Sequence, residues 1–180
     1  MTYRFAHITI LLVEDNQAML GLIRAVLQSF GVGNIVTALN GDDAFAAYCR
    51  HNPDLIITDW MMEPCDGIAL SRRIRNDPKS PNQFVPIILM TGFSEKGRVF
   101  HARDAGITEF LVKPFNTRDL YKRLYQLIEK PRQFVRNEGF FGPDRRRKAL
   151  DGYDGTLKRQ DDNKSEKVRI EIPVTEIDFE

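Results

Sequence analysis

Five polar residues stand at the ends of short apolar segments in this chain of 180 residues. Glu14 and Asp15 follow one such segment, Asp59 follows a second, and Thr91 and Lys113 end two more. Clustered carboxylates repel one another and are costly to ionise together unless a cation lies among them. Carboxylate oxygens, completed by water and phosphate oxygens, suit Mg²⁺. A lysine adds a positive point charge for a phosphoryl group, and a threonine adds a hydroxyl donor.

These residues can act together only if the surrounding elements place them together. Over residues 1–130 apolar, strand-like segments alternate with amphipathic ones, and we predict strands at His7–Val13, Asn34–Ala38, Asp54–Thr58, Val85–Met90 and Thr108–Val112. Helical patterns follow at Met19–Phe30, Asp42–Arg50, Gly67–Asn76, Ser94–Gly106 and, with Asn116 as its cap and Asp119 in its first turn, Leu120–Ile128. Five successive strand–helix units imply a parallel sheet with helices on both faces. Functional groups gather beyond the carboxyl ends of such strands.

Each of these residues also has a simpler interpretation when it is taken alone. Asp15 could cap the helix that begins near Asn16, and Asp59 could be an ordinary loop residue. Thr91 could likewise be a helix cap, and Lys113 a solvated side chain. All of them coincide with predicted strand ends, and this coincidence favours one shared site.

The segments at these strand ends resemble a known family when they are taken together and in order. They are Leu-Leu-Val-Glu14-Asp15-Asn, Ile-Ile-Thr-Asp59-Trp-Met-Met, Leu-Met-Thr91-Gly92 and Phe110-Leu-Val-Lys113-Pro114. In this combination the chain resembles the receiver domain of bacterial two-component response regulators over about residues 6–130. The resemblance implies a flavodoxin-like (βα)5 fold of the α/β class, a doubly wound five-stranded parallel sheet with strand order 2-1-3-4-5.

The resemblance also implies a phosphorylation site with a metal ion. Asp59 is similar to the phosphoacceptor, which attacks the phosphohistidine of a partner kinase. Glu14 and Asp15 resemble the acidic pair that holds Mg²⁺, Asp15 directly and Glu14 through water. Asp59 and the backbone carbonyl of Met61 are the further metal ligands that the resemblance implies.

The remaining residues of the pattern resemble a conformational switch. Thr91 is similar to the switch hydroxyl and Lys113 to the phosphate-binding lysine, so both are expected to act with Asp59. Phe110 matches the aromatic switch position, and Lys113-Pro114 matches a peptide bond that is typically cis in the family. The expected partners are a histidine kinase or histidine phosphotransfer protein and a downstream protein effector.

Composition limits the other classes of function. Lysine and arginine number 26 against 25 aspartates and glutamates, so the net charge of +1 gives no overall attraction to nucleic acid or to an anionic membrane. The apolar runs are far shorter than the roughly 20 residues that span a bilayer. Cys49 and Cys65 suggest free thiols rather than a disulfide framework or a zinc site. We therefore expect a cytoplasmic phospho-switch that is not itself an enzyme.

Residues 131–180 have a different composition: 14 of these 50 residues are apolar, or 28%, whereas 42% of the whole chain is apolar. Such a segment buries too little apolar surface to offset its ordering entropy, so we predict a largely flexible C-terminal tail. Within it, residues 139–148 combine aromatic and basic side chains, and Val168–Ile172 alternates like a strand. The segment 139–148 could be a solvated linker, could dock on the receiver or on a partner, or could contact nucleic acid. The alternative function is thus a receiver whose compact C-terminal segment binds nucleic acid.

Overall fold

The computed structural model of this chain describes residues 5–92, 104–137, 140–144 and 166–168. Its central element is a five-stranded parallel sheet. Its strands are β1 (Thr9–Val13), β2 (Asn34–Ala38), β3 (Leu55–Asp59), β4 (Ile87–Thr91) and β5 (Glu109–Val112), in the order β2-β1-β3-β4-β5. The described helices are α1 (Gln17–Ser29), α2 (Gly41–His51), α3 (Gly67–Asn76) and α4 (Thr117–Glu129). The predicted fold class and strand order are confirmed, whereas the predicted helix Ser94–Gly106 lies mostly outside the described residues. Among the described helices none is long and apolar enough to cross a membrane.

Both faces of the sheet are covered, which explains why its central strands are apolar throughout. Ile57 and Ile88 belong to the core under α1 and α4. Ile56 and Leu89 belong to the opposite core under α2 and α3. Successive residues of a strand point to opposite faces, so a strand covered on both sides needs an uninterrupted apolar sequence.

Asparagine side chains begin the two helices on the first of these faces. The Asn16 side chain accepts hydrogen bonds from the backbone N–H groups of Ala18 and Met19, at 3.0 and 3.1 Å. Asp15 is therefore not the cap of α1, and that interpretation is wrong. At α4 the predicted cap is confirmed, because Asn116 and Asp119 form a reciprocal capping box.

The chain after α4 continues into a second, antiparallel sheet. Its strands are β6 (Phe134–Asn137), β7 (Phe140–Pro143) and β8 (Glu166–Val168), in the order β7-β6-β8. The prediction of a largely flexible tail is wrong for these residues. Most of the predicted strand Val168–Ile172 lies outside the described residues, although Val168 itself pairs with Phe134.

The β6–β7 hairpin is held in place by a few apolar side chains. These side chains pack into a cluster on the receiver and do not form a separate core. Phe134 is 2% exposed, and its ring centroid lies 5.7 Å from that of Phe84 and 5.9 Å from that of Phe141. Composition underestimates the order of such a segment, since the surface that it buries belongs partly to another element. The division of the chain into residues 1–130 and 131–180 remains a prediction.

Arg75, at the end of α3, lies buried beneath this aromatic cluster. Its Nε and Nη2 donate to the carbonyl oxygen of Gly106 at 3.1 and 2.9 Å, and its guanidinium carbon lies 4.9 Å from the centre of the Phe134 ring. Burial lowers the pKa of Arg75 to about 9, so the side chain remains a cation at neutral pH. Gly106 has a φ of +85°, a conformation that glycine adopts without strain.

We expect Gly106→Ala to destabilise the fold more than Gly31→Ala. Both glycines have positive φ values, +85° and +80°, so alanine costs about 1–2 kcal/mol at either position. At Gly106 the added Cβ would also lie 2.8 Å from Cγ of Arg75, whereas at Gly31 it meets nothing within 4 Å. The contact with Arg75 should cost about 1–3 kcal/mol more. Urea unfolding of both variants measures the difference, and equal losses would show that Arg75 moves aside freely.

Candidate functional site

The strand register brings four strand ends to one edge of the parallel sheet. Val13 of β1 lies beside Thr58 of β3, so Glu14 and Asp59, which come next in the chain, occupy the same edge. The pairing of β3 with β4 and of β4 with β5 carries this edge on to Thr91, which lies beside Val112. The parallel topology thus gathers residues that are up to about a hundred positions apart in the sequence.

Three carboxylates form an acidic cluster at this edge. Oxygen atoms of Glu14, Asp15 and Asp59 all lie within 4.8 Å of one another. Glu14 is 2% exposed and Asp59 is 8% exposed, whereas Asp15 is exposed to solvent. An oxygen donor set that is open on one side suits a partly hydrated Mg²⁺, which keeps several of its waters. The cluster therefore fits the predicted metal ion, and Asp59 is a buried strand residue rather than a loop residue.

Lys113 joins two of these carboxylates. Its Nζ lies 2.7 Å from Oδ1 of Asp59 and 2.9 Å from Oε2 of Glu14. The interpretation of Lys113 as a solvated side chain is wrong. The backbone N–H of Lys113 also donates to the carbonyl oxygen of Thr91 at 2.7 Å, so the lysine is fixed at both its main chain and its ammonium group.

The pKa values of Lys113 and Glu14 reflect burial and pairing. Burial disfavours the charged form of Lys113, but the hydrogen bonds and charges of Asp59 and Glu14 outweigh it, and the pKa of Lys113 is raised. Burial raises the pKa of Glu14, with the nearby charge of Asp59 adding to the rise and the hydrogen bond from Lys113 opposing it. The lysine is thus held as a cation, and the ionisation of Glu14 is costly.

The predicted switch residues lie on the two adjoining strands. Thr91 is the last residue of β4 and is 1% exposed. Phe110 lies on β5, half-buried against the core under α2 and α3. The side chain of Met61 is 62% exposed in the loop between β3 and α3. The Lys113–Pro114 bond is cis, as the resemblance implies.

Gly67 is a site residue whose importance the sequence did not reveal. A Cβ at Gly67 would lie 2.1 Å from the backbone oxygen of Asp59 and 2.9 Å from Cδ1 of Leu89. The N–H of Gly67 donates to the carbonyl oxygen of Trp60 at 3.0 Å. The start of α3 therefore packs directly on the main chain that carries Asp59, and the glycine that follows the helix cap Asp66 was the available signal.

An apolar groove of about 480 Å³ adjoins the site between α1 and the start of α4. Its lining includes Leu22 and Val26 of α1, Phe115 and Leu120 at the start of α4, and Lys113. Leu22 is 61% exposed and adds apolar surface to the groove. The groove depends on two helices that are distant in the sequence, so the sequence pattern did not reveal it.

Comparison with known proteins places the chain in a family. The response regulator receiver domain family matches residues 10–125, which span the parallel sheet and the site. The chain belongs to this family of bacterial two-component response regulators. It therefore carries a receiver domain of two-component signalling, and the recognition made from the four motifs is confirmed.

Individual relatives agree with this assignment. The chain is 33% identical over 126 residues to the phosphate regulon transcriptional regulatory protein PhoB of Rhizobium meliloti, covering 70% of the chain and 54% of that protein. The chemotaxis protein CheY4 of Vibrio cholerae matches with a TM-score of 0.62 and 27% identity, over 67% of the chain and 98% of that structure. A third match is the receiver domain of sensor histidine kinase PA1611 from Pseudomonas aeruginosa, with a TM-score of 0.58 and 32% identity over 66% of the chain and 94% of that structure. That structure has a magnesium ion coordinated in its active site cleft. The chain spans about half the length of the PhoB proteins that it matches.

We expect Glu14→Gln to stabilise the chain at neutral pH when divalent cations are removed. The pKa of Glu14 is raised in the folded chain, so the unfolded chain loses this proton at a lower pH than the folded chain does. Ionisation of Glu14 therefore lowers the free energy of unfolding as the pH rises above 4.5, the ordinary pKa of a glutamate. The glutamine variant does not ionise and so lacks this loss. Urea unfolding in EDTA from about pH 4 to about pH 7 measures the difference.

The control for this measurement is Glu129→Gln at the exposed end of α4, which should leave the pH dependence unchanged. A glutamine variant of Glu14 that is less stable than the wild type at neutral pH would contradict the expectation. It would mean that the pairing of Glu14 with Lys113 outweighs the cost of burying the carboxylate.

Proposed function

We propose that Asp59 is the phosphoacceptor of this receiver and that the chain acts as a phospho-switch. One observation carries the proposal: the Asp59 carboxylate lies at the sheet edge within an acidic cluster and is paired with Lys113 at 2.7 Å. A carboxylate is a competent nucleophile toward phosphorus when fixed positive groups stabilise the charge on the phosphoryl oxygens. The proposed phosphodonor is a phosphohistidine on a histidine kinase or a histidine phosphotransfer protein.

The proposed reaction moves one phosphoryl group to the chain. A carboxylate oxygen of Asp59 forms a bond to phosphorus, the bond between phosphorus and the imidazole nitrogen breaks, and that nitrogen keeps the electron pair. Lys113 exchanges its contact with the Asp59 carboxylate for the phosphoryl oxygens, and the Thr91 hydroxyl donates a hydrogen bond to them. The chain provides the acceptor and the partner provides the donor, so we propose a switch rather than an enzyme with a substrate of its own.

We propose that the acidic cluster holds Mg²⁺ during this reaction. The ion, when bound, neutralises charge on the phosphoryl oxygens. Asp15 is exposed and would bind it directly, whereas Glu14 is buried, is hydrogen-bonded to Lys113 and would act through water. Asp59 and the backbone carbonyl of Met61 would complete the protein ligands.

We propose the groove between α1 and α4 as the docking surface for the phosphodonor. A partner that presents a phosphohistidine to Asp59 has to contact the surface beside the site, and Lys113 lines both the site and the groove. An amphipathic helix of the partner could place its apolar side chains in the groove. The exposed Leu22 would then be buried at the centre of this contact.

We place the contact with a downstream protein effector on the face formed by β5 and α4. Val112 and Tyr125, 44% and 37% exposed, give this face apolar area. Movement of Thr91 toward a phosphoryl group would open space for Phe110, which lies on the same strand as Val112. Phosphorylation would shift the population between two packings of this face. The alternative function, nucleic-acid binding by residues 139–148, stays a prediction, because residues 145–148 lie outside the described residues.

We expect acetyl phosphate to phosphorylate the wild-type chain only when Mg²⁺ is present. The shifted band on a phosphate-affinity gel should be absent from Asp59→Asn and from samples in excess EDTA, because both the nucleophile and the metal are required. Asp43→Asn, in the exposed first turn of α2, is the matched control and should be phosphorylated normally. Phosphorylation that persists in Asp59→Asn would contradict the proposed acceptor.

Asp15→Ala should weaken Mg²⁺ binding more than Glu14→Ala does, because only Asp15 is assigned to direct contact with the ion. Trp60 is the lone tryptophan of the chain and follows Asp59, so its fluorescence provides a titration signal. We expect a loss of about tenfold or more in affinity for Asp15→Ala, comparable to the loss of a metal-site partner. Equal losses in the two variants would contradict the assignment of Glu14 to an indirect role.

Leu22→Asp should slow phosphotransfer from a protein donor but leave phosphorylation by acetyl phosphate unchanged. A charge in the groove would oppose burial of the partner's apolar side chains, whereas a small donor needs no docking surface. We expect a decrease of about tenfold or more in the rate from a phosphorylated histidine kinase. Leu39→Asp is the control, since Leu39 is also exposed but lies outside the groove. A decrease with both donors would mean that the substitution damages the site itself.

A further inference from the structure

The β6–β7 hairpin is held against the segment that leads into β5. Arg132, just before β6, donates from Nη1 to the carbonyl oxygen of Thr108 at 3.0 Å, and it also donates to the carbonyl oxygen of Asp144. Arg75 donates twice to the neighbouring carbonyl of Gly106, and the Phe134 ring covers its guanidinium group. The C-terminal segment thus holds the carbonyl of Thr108 directly through Arg132, and it covers Arg75 of α3, which holds the carbonyl of Gly106.

The same hairpin also contacts the segment that leads into β4. Arg136 donates to the side-chain oxygen of Gln83 at 2.8 Å, and Arg75 donates to the carbonyl oxygen of Gln83 at 2.7 Å. The Phe84 ring lies 5.2 Å from Phe141, between centroids, and close to Phe134. The hairpin is therefore attached at the beginning of both β4 and β5.

These two strands end at the phosphorylation site. β4 ends at Thr91, and β5 is followed directly by Lys113. Their beginnings are coupled by a hydrogen bond of 3.0 Å from the N–H of Ile87 to the hydroxyl of Thr108. At about 3.3 Å per residue, Thr108 and Lys113 are separated by roughly 16 Å of extended chain. The hairpin thus contacts the beginning of β5, and the ammonium group of Lys113 lies just beyond its end.

The docked hairpin occurs together with a particular state of Asp59. Oδ1 of Asp59 is in direct contact with Lys113, so this arrangement belongs to the free carboxylate. Phosphorylation converts one carboxylate oxygen into a bridging oxygen, and Lys113 then has to pair with the phosphoryl group instead. The main chain of Lys113 is hydrogen-bonded to the carbonyl oxygen of Thr91, so a displacement of this main chain would reach both β4 and β5.

We propose that hairpin docking and phosphorylation of Asp59 oppose each other. The docked hairpin holds β4 and β5 in the arrangement of the free carboxylate, and phosphorylation loosens the hairpin from the receiver. The inference rests on the proposed role of Asp59 as phosphoacceptor. By linkage, hairpin docking lowers the affinity of the site for a bound phosphoryl group by a certain factor. The bound phosphoryl group lowers the equilibrium constant for docking by the same factor. The hairpin is then an autoinhibitory element that acts at the beginning of β5, whereas the site lies at the end of that strand.

The test uses the full chain with Mg²⁺ and beryllofluoride, which takes the position of a phosphoryl group on an aspartate. Trp60 fluorescence measures beryllofluoride affinity in the wild type and in two hairpin variants, Arg132→Gln and Phe134→Ala. Both should bind beryllofluoride about fivefold or more tightly than the wild type, the lower range of typical coupling between sites. Arg24→Ala, on the exposed surface of α1, removes an arginine away from the hairpin and should leave the affinity unchanged.

Hydrogen–deuterium exchange of residues 131–144 provides the reciprocal measurement. Beryllofluoride should accelerate exchange of the β6 amides in the wild type by about the same factor of five. Affinities within twofold of the wild type in both variants, although their β6 amides exchange faster, would overturn the coupling and leave the proposed acceptor intact. A wild-type chain that shows no Mg²⁺-dependent response to beryllofluoride would instead contradict the proposed function, and the inference with it.

Discussion

The ion pairs of Lys113 are the interaction on which the site depends. Parallel strands bring Glu14, Asp15 and Asp59 to one edge of the sheet, where their negative charges oppose one another. The ammonium group of Lys113 lies between two of these carboxylates, at 2.7 and 2.9 Å, and offsets part of that repulsion. The ammonium group of a lysine can also pair with a phosphoryl oxygen. Under the proposed role of Asp59, the contact that stabilises the free carboxylate is therefore the one that phosphorylation would change.

The sheet makes this arrangement rigid. Both of its faces are packed, with alternate residues of β3 and β4 in two separate cores, so the strand ends cannot shift independently of the helices. Gly67 adds a close contact between α3 and the main chain of Asp59, which no larger residue could make without displacing Asp59. Carboxylates that repel one another are thus kept together by the apolar packing beneath them.

The C-terminal hairpin shows how a segment poor in apolar residues can still be ordered. Phe134 and Phe141 pack with Phe84 of the receiver, and the Phe134 ring covers the buried cation of Arg75. The guanidinium group is satisfied mainly by carbonyl oxygens of the segments entering β4 and β5. Residues that join the hairpin to the receiver are therefore the same residues that fix the beginnings of β4 and β5.

The sequence by itself determined the parallel architecture and the positions of the site residues, because both depend on local pattern. Continuous apolar runs predicted buried strands, the polar residues after them predicted one functional edge, and Asn116 predicted the start of α4. Tertiary structure alone decided that Asn16 rather than Asp15 caps α1, that Lys113 contacts both Asp59 and Glu14, and that Gly67 packs on the main chain of Asp59. It also decided the order of the β6–β7 hairpin, which composition had predicted to be flexible. These features arise from contacts between residues far apart in the chain, and their energies depend on distances that no local pattern encodes.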